Sequence, residues 1–529
     1  MLNKGPTPRW AKLIVVILLL TFSFQCVMSL RDKSPTWDET HYLGIGKYLL
    51  THFTWDIKGA ILHPPLSYLI HDVPLLFFPT PEIKPLNVQV NKVYLGTADL
   101  ARGNRILMSE RYDGETLFFL SRLSMIPLSL LLGIFVFLWA KNLYSAYAGV
   151  FSLFLYCFSP NIIAHARLIT PDLALTCFSF SSIYFYWKFT TEHMYKHLFF
   201  SALSLGLALA SKYSALLLFP IFMTVFITNT IVGFYASSDS FRAVGKSALN
   251  LLFLFFLSIV PILVFYGFDL SPYFDGVVFQ FKKGAWGHAA FLDGNISWEG
   301  WWYFLIYAFL LKTPIPTLIL IIAALGIGNH IKFIFQKKEY FLIMSVMVYV
   351  IFFSCNHQSI GLRYILPIYP FLFVYLGRIF EFMVKTRKVV VGLVIGLISW
   401  YLVGTLNIYP HYLAYFNECA GGPSNGYRYL VDSNLDWGQD LKLLKRYMDA
   451  RGIGEISLDY FGSVDPAFYD ICYKKIDENT FPLSKGWCAI SATKLQGVYS
   501  LAGESAYAEL KKKKPVAQIG YTTFLYYLD

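Results

Sequence analysis

Two adjacent carboxylates, Asp38 and Glu39, stand just after the first long apolar run of the chain. Further ionisable groups recur beside later runs: His63, Arg167, Asp172, Lys212 and Arg363. Charge beside or within a membrane-length apolar segment is expensive, so each of these is a candidate for function. The types are complementary. A carboxylate can take a proton from an acceptor hydroxyl, and cations can stabilise the negative charge that grows on a departing phosphate. Together they fit group transfer from a lipid-linked phosphate. Paired carboxylates also hold hard divalent cations, so a metal cofactor stays open, although the pattern assigns no metal ligands.

Positioning begins with Thr36-Trp37-Asp38-Glu39, which has the form of a capping box with Thr36 as N-cap and Glu39 at the third helical position. The box predicts a short helix over about 37–50 that would aim Asp38. Each candidate also has a plainer reading. Glu39 can serve the cap alone, Asp172 is in the first turn after Pro171, and Lys212 can snorkel. His63 can be interfacial and Arg363 topological.

The elements that carry these residues follow from composition. The 529 residues are 56% hydrophobic, 18% aromatic and 15% charged, with mean hydropathy +0.50; a soluble chain is nearer a quarter charged. This composition predicts a polytopic membrane protein. The net charge of +11 is dispersed between apolar runs, which fits orientation in a bilayer rather than a nucleic-acid partner. Lys4, Arg9 and Lys12 precede an apolar run with no small-residue cleavage site, so residues 1–30 read as a retained first helix.

Segments of bilayer length recur near 11–30, 118–140, 146–159, 168–187, 198–211, 214–233, 247–267, 302–327, 340–355, 364–383 and 389–406, about eleven transmembrane helices. With the N-terminus cytoplasmic, the Lys141 turn and the loops Lys188–Lys196, Arg242–Lys246, Lys332–Lys338 and Lys385–Lys388 face the cytoplasm, as the positive-inside rule requires. The outer face then holds a first loop, 31–117, a second, 268–301, and residues 407–529. The first loop carries aromatic and apolar residues throughout, at Trp55, Phe77-Phe78 and Tyr94 among others, so it reads as ordered. The expected division is a transmembrane domain over 1–406 and a small extracytoplasmic α/β domain over 407–529.

In the latter, Leu441, Leu444 and Met448 share a helix face that Asp436 could cap and Gly452 could end. Residues 456–461, 487–491 and 516–527 look strand-like. Cys472 and Cys488 are candidates for a disulfide on that side. The run Asp432–Asp440 fits either a ligand-binding loop or a capped turn.

Trp37-Asp38-Glu39 followed by His63-Pro64-Pro65-Leu66 is similar to the signatures of the first outer loop of protein O-mannosyltransferases. The pattern continues through Ser121-Arg122-Leu123, Ala148-Gly149, Ser159-Pro160, Ala166-Arg167-Leu168 with Asp172, and Leu209-Ala210-Ser211-Lys212-Tyr213. Over roughly 10–400 the chain resembles the wider GT-C family of membrane glycosyltransferases that use polyprenyl-phosphate sugars, which includes the aminoarabinose transferases.

That resemblance implies an all-α polytopic fold and a polyprenyl-phosphate sugar donor. It implies Asp38 as general base, Glu39 and Asp172 as supporting carboxylates, and Lys212 and Arg363 on the donor phosphate, with His63 and Arg167 as further candidates there. The acceptor, a protein, lipid or glycan, and the sugar are left open. A secondary transporter and a non-catalytic membrane scaffold are the alternatives; transporters often show internal repeats, and none is found here.

Overall fold

The computed structural model describes residues 6–52, 61–78, 103–108, 113–236, 240–285, 287–326, 334–335, 338–355, 359–383, 388–476, 485–500, 503–505 and 507–529. Trp55 and Tyr94, and most of the 332–338 and 385–388 loops, lie outside these residues.

Each apolar segment is helical in whole or large part. Among the described residues, five helices are long and apolar enough to cross a bilayer: Arg9–Leu30, Gly114–Leu143, Tyr213–Val232, Phe241–Phe265 and Lys388–Asn407. Two pairs, Ala146–Cys157 with Pro160–Ala166 and Phe304–Lys312 with Ile315–Gly326, are bent by 66° and 110°, and counting each as one crossing gives up to seven. This is below the expected eleven, and burial explains part of the difference. The helix Pro171–Glu192 is sheathed by protein along most of its length, so it needs no lipid-facing apolar surface and carries Ser, Thr and Tyr instead. Its neighbour Tyr195–Leu209 is held to it by a reciprocal pair, Ser182 Oγ to the Ser201 carbonyl at 2.9 Å and Ser201 Oγ to the Ser182 carbonyl at 2.8 Å. Tyr340–Ser354 is short, at 15 residues. The chain is a multi-pass membrane protein.

Polar contacts gather at two ends of the bundle. At one, Lys141 Nζ donates to Thr7 Oγ1 at 2.8 Å, Lys338 Nζ to the Thr190 carbonyl at 2.6 Å, and buried Glu339 takes Tyr144 and, at 3.4 Å, Arg378. Those are turns that the charge pattern puts on one side. The loop after the first helix and the C-terminal region meet at the other end.

The C-terminal region packs one main helix against a mixed sheet. After a small hairpin of β1 (Ala290–Leu292) and β2 (Asn295–Ser297) in the 268–301 segment, strands β3 (Ile456–Asp459), β4 (Tyr473–Lys475), β5 (Gly486–Ser491), β6 (Ala517–Ile519) and β7 (Thr523–Leu528) form a sheet of order β4-β3-β5-β7-β6. β3 is parallel to β4 and β5, and the other pairings are antiparallel. The expected single strand over 516–527 is a hairpin, turned at 520–522, and β4 was not anticipated.

The helix Leu441–Arg451 buries Leu441, Leu444 and Met448 and ends at Gly452 in the left-handed region, φ +66°, as the pattern predicted. Its cap position is Asp440 rather than Asp436; the Asp436 carboxylate instead accepts the N–H of Thr493 at 2.8 Å and of Gly438 at 3.3 Å. Cys472 and Cys488 are both free. Cys488 is in β5 and Cys472 flanks β4, with β3 between them; two strand spacings of about 4.8 Å exceed the Cα separation that a disulfide bridges.

One buried cation joins the two regions. Lys312, at the bend between Phe304–Lys312 and Ile315–Gly326, donates to the carbonyls of Leu413 at 2.9 Å, Tyr415 at 3.0 Å and Asn434, over the ring of Phe416.

Candidate functional site

The predicted helix after the capping box is Trp37–His52. Only half of the box forms: Glu39 Oε2 accepts the Thr36 N–H at 2.8 Å, while Thr36 Oγ1 is buried without a hydrogen bond. The remaining capacity of Glu39 is filled by a group that sequence reasoning gave no role. Arg122 donates Nε to Oε1 at 2.9 Å and Nη2 to Oε2 at 2.5 Å, and the Ile169 N–H reaches Oε1 at 3.1 Å. Arg122 also donates to the carbonyls of Lys33 and Ser34 at 3.0 and 3.1 Å. This bracket ties the start of the first loop to the helix Gly114–Leu143 and to the turn before Pro171. Its sequence signal was an arginine inside an apolar run.

One residue earlier the environment changes. Asp38 Oδ2 accepts Arg363 Nη1 at 2.7 Å and the Tyr42 hydroxyl, one helical turn on, at 3.4 Å. Asp172, in the first turn of Pro171–Glu192, takes Lys212 Nζ on Oδ1 at 2.6 Å, and its Oδ2 lies 4.0 Å from Arg363 Nη1. Lys212 stands where the chain breaks between Tyr195–Leu209 and the turn Tyr213–Leu217. Asp38, Arg363, Asp172 and Lys212 thus form a row of alternating charge. Tyr364 lies beside both cations, 4.8 Å from Lys212 and 5.7 Å from Arg363.

Exposure separates the carboxylates: the Asp38 side chain is 23% exposed, whereas Glu39 and Asp172 are at 0%. Open hydrogen-bonding capacity collects here too. Asp172 Oδ2, Arg363 Nε and His63 Nδ1 are buried with no hydrogen bond among the described residues. Burial, with the ammonium groups of Lys212 and Lys283 nearby, holds the His63 pKa well below its usual value, so the imidazole is neutral. It lies edge-on to Tyr42. Arg167 goes elsewhere: it donates to the Ser29 carbonyl at 2.5 Å and the Pro410 carbonyl at 3.5 Å. Among the described residues no group of three or more His, Cys, Asp or Glu side chains is arranged to hold a metal ion.

The C-terminal region reaches this centre. Trp437 lies under the Arg363 guanidinium at 4.3 Å. The Tyr499 hydroxyl donates to Asp432 Oδ2 at 2.6 Å and lies 3.3 Å from His288 Nε2, just ahead of the β1–β2 hairpin. Asp432 and Tyr499 both have positive φ, +55° and +66°, a conformation that is costly for a bulky side chain. Trp37, Phe461 and Tyr499 stack in sequence, with centroids 5.2 and 5.4 Å apart.

Residues 114–265 match the family model described as dolichyl-phosphate-mannose-protein mannosyltransferase. Among solved structures, ArnT from Cupriavidus metallidurans in the apo state is similar over 98% of this chain and 97% of that one, with TM-score 0.52 and 12% identity. The Pmt1-Pmt2 complex of S. cerevisiae bound to its sugar donor aligns over 52% of this chain and 35% of that one, with TM-score 0.37 and 17% identity, too distant to argue from. No curated protein sequence matches. The chain therefore has the GT-C fold that the sequence motifs resembled, and the family match is confined to the part that contains Arg122, Arg167, Asp172 and Lys212.

Proposed function

We propose that this chain is a membrane glycosyltransferase that moves a hexosyl or pentosyl group from a polyprenyl-phosphate donor to an acceptor hydroxyl on the extracytoplasmic face. The observation that carries the reading is Asp38. It is the reachable carboxylate of the site, held by an arginine through one oxygen, beside a second carboxylate–cation pair. The ArnT-like fold and the family match support the same reading.

In the proposed step, Asp38 Oδ1 takes the proton of the acceptor hydroxyl as the acceptor oxygen bonds to the anomeric carbon. The bond from that carbon to the phosphate oxygen breaks on the opposite face, inverting the centre, and the electron pair leaves on the polyprenyl phosphate. Lys212 and Arg363 stabilise that charge, and neutral His63 supplies a hydrogen bond to it. Asp172 holds both cations and borders the donor sugar. Glu39 works through Arg122 by holding the helix that presents Asp38, without touching substrate. Arg167, spent on backbone carbonyls, contributes through its field.

The proposed setting is a plasma membrane, with the N-terminus cytoplasmic. Residues 1–406 form the transmembrane domain and 407–529 the extracytoplasmic one. Acceptor-dependent release of free polyprenyl phosphate by the purified protein tests the reading. It should fall by about 10²–10⁴-fold in Asp38→Asn with expression and insertion intact. Full turnover in that variant would remove the base, and release that ignores acceptor would remove the transferase.

A further inference from the structure

The Asp432–Asp440 run lies against the Asp38–Arg363 pair, and Trp437 contacts both the residue ahead of Asp38 and Arg363 itself. Its carbonyl accepts the N–H of Trp37 at 2.8 Å, which fixes the residue just ahead of Asp38. Its indole is the platform beneath Arg363, 4.3 Å from ring centroid to guanidinium carbon. Trp437 is 1% exposed, so neither contact is a surface accident.

The backbone that carries Arg363 is fastened by the same run. Asn434 Oδ1 accepts the Leu362 N–H at 2.9 Å, and Asn434 Nδ2 donates to the Ile360 carbonyl at 3.0 Å. Between them Gly361 lies so close that a Cβ there would come within 2.3 Å of Ser433 Oγ. Trp437 is itself held by Gln439, whose Oε1 accepts its N–H at 2.8 Å while Nε2 donates to the Leu435 carbonyl at 2.7 Å.

A guanidinium is a flat fork, and its use depends on its plane. The bond from Nη1 to Asp38 fixes one corner of Arg363 but leaves rotation about that bond. A ring face under the cation removes the rotation. With the plane set, the buried and unpartnered Nε points in one direction and is free to donate to a further anion.

We infer that Trp437 is a positioning residue of the donor site. It orients Arg363 so that one edge holds Asp38 and the other is presented to the donor phosphate, which makes the C-terminal region a working part of a membrane-embedded site. The inference rests on the reading of Arg363 as a phosphate ligand.

The test is a double-mutant cycle on the full-length protein in phosphatidylcholine nanodiscs, with undecaprenyl phosphate as the binding probe. Trp437→Leu should weaken binding by about tenfold, within the span from exposed to desolvated cation–π contacts, and Trp437→Phe should restore it to within about threefold. In an Arg363→Lys background, which lacks the planar fork, Trp437→Leu should cost less than about twofold more. The same loss in both backgrounds, or no rescue by Phe, would overturn the inference. If Trp437→Leu does not fold, Asn434→Ala takes its place in the cycle. If Arg363→Lys binds like wild type, the phosphate reading itself has failed; an intact Arg363→Lys effect with additive Trp437→Leu loss sinks the positioning role alone.

Discussion

Asp38 and Glu39 are neighbours in one helical turn, each bonded to an arginine, and their surroundings differ in nearly every other respect. Glu39 is sealed, and both its oxygens are engaged by Arg122 and two backbone N–H groups. Asp38 is partly exposed and meets its arginine through Oδ2 alone. A buried ion pair with its capacity filled is a structural joint: removing one partner leaves a buried charge uncompensated. A reachable carboxylate with an oxygen to spare is equipped to exchange protons. In the proposed reading, burial and hydrogen-bond saturation thus divide two adjacent carboxylates into a joint and a reagent.

The largest expected effect bears directly on that division. Asp38→Asn should lower turnover by about 10²–10⁴-fold, the usual contribution of a general base, with an unchanged melting temperature in detergent. Glu39→Ala should do the reverse, costing about 3–5 kcal/mol of stability by stranding Arg122, as read from thermal unfolding. Equal effects of both on both measurements would erase the distinction.

Lys212→Gln probes the other pair. Loss of a charge-assisted bond worth about 1.5–3 kcal/mol should weaken undecaprenyl phosphate binding by about 10- to 100-fold, with Lys212→Arg recovering part of it.

The smallest effect concerns Asp436, a buried carboxyl whose partners are N–H and hydroxyl groups instead of a cation. Burial pushes its pKa up to about 7. Between about 4 and 7 the folded chain holds a proton that the unfolded chain has lost, so this contribution to stability falls as pH rises through that window and is level above it. The stability of wild type relative to Asp436→Asn should therefore fall from pH 5 to about pH 7, by on the order of 1 kcal/mol per pH unit.

Much of the site was legible because charge next to membrane-length apolar runs is rare enough to count. Asp38, Asp172, Lys212 and Arg363 were each found that way, and they converge. The same rule picked out Arg167, whose cost is met by the backbone carbonyls of Ser29 and Pro410, since burial cost says that a charge needs a partner without saying which. Arg122 was visible as a charge but not as the partner of Glu39, because 83 residues separate them. Trp437 was invisible as a contact, since an aromatic residue in an aromatic-rich chain carries no mark of the cation above it.

Helices read well where one face met lipid, and less well where protein enclosed them, as in Pro171–Glu192. The single strand expected over 516–527 became β6 and β7 because alternation persists across the turn at 520–522.

The carbonyl cage around Lys312 also sets an order of assembly. The bend it anchors is made of residues near 312, but the oxygens that satisfy the ammonium come from Leu413, Tyr415 and Asn434. A chain synthesised from its N-terminus therefore inserts Phe304–Lys312 with an unmatched charge at its end. The bend reaches its final form only after more than a hundred further residues have been made and delivered to the same side.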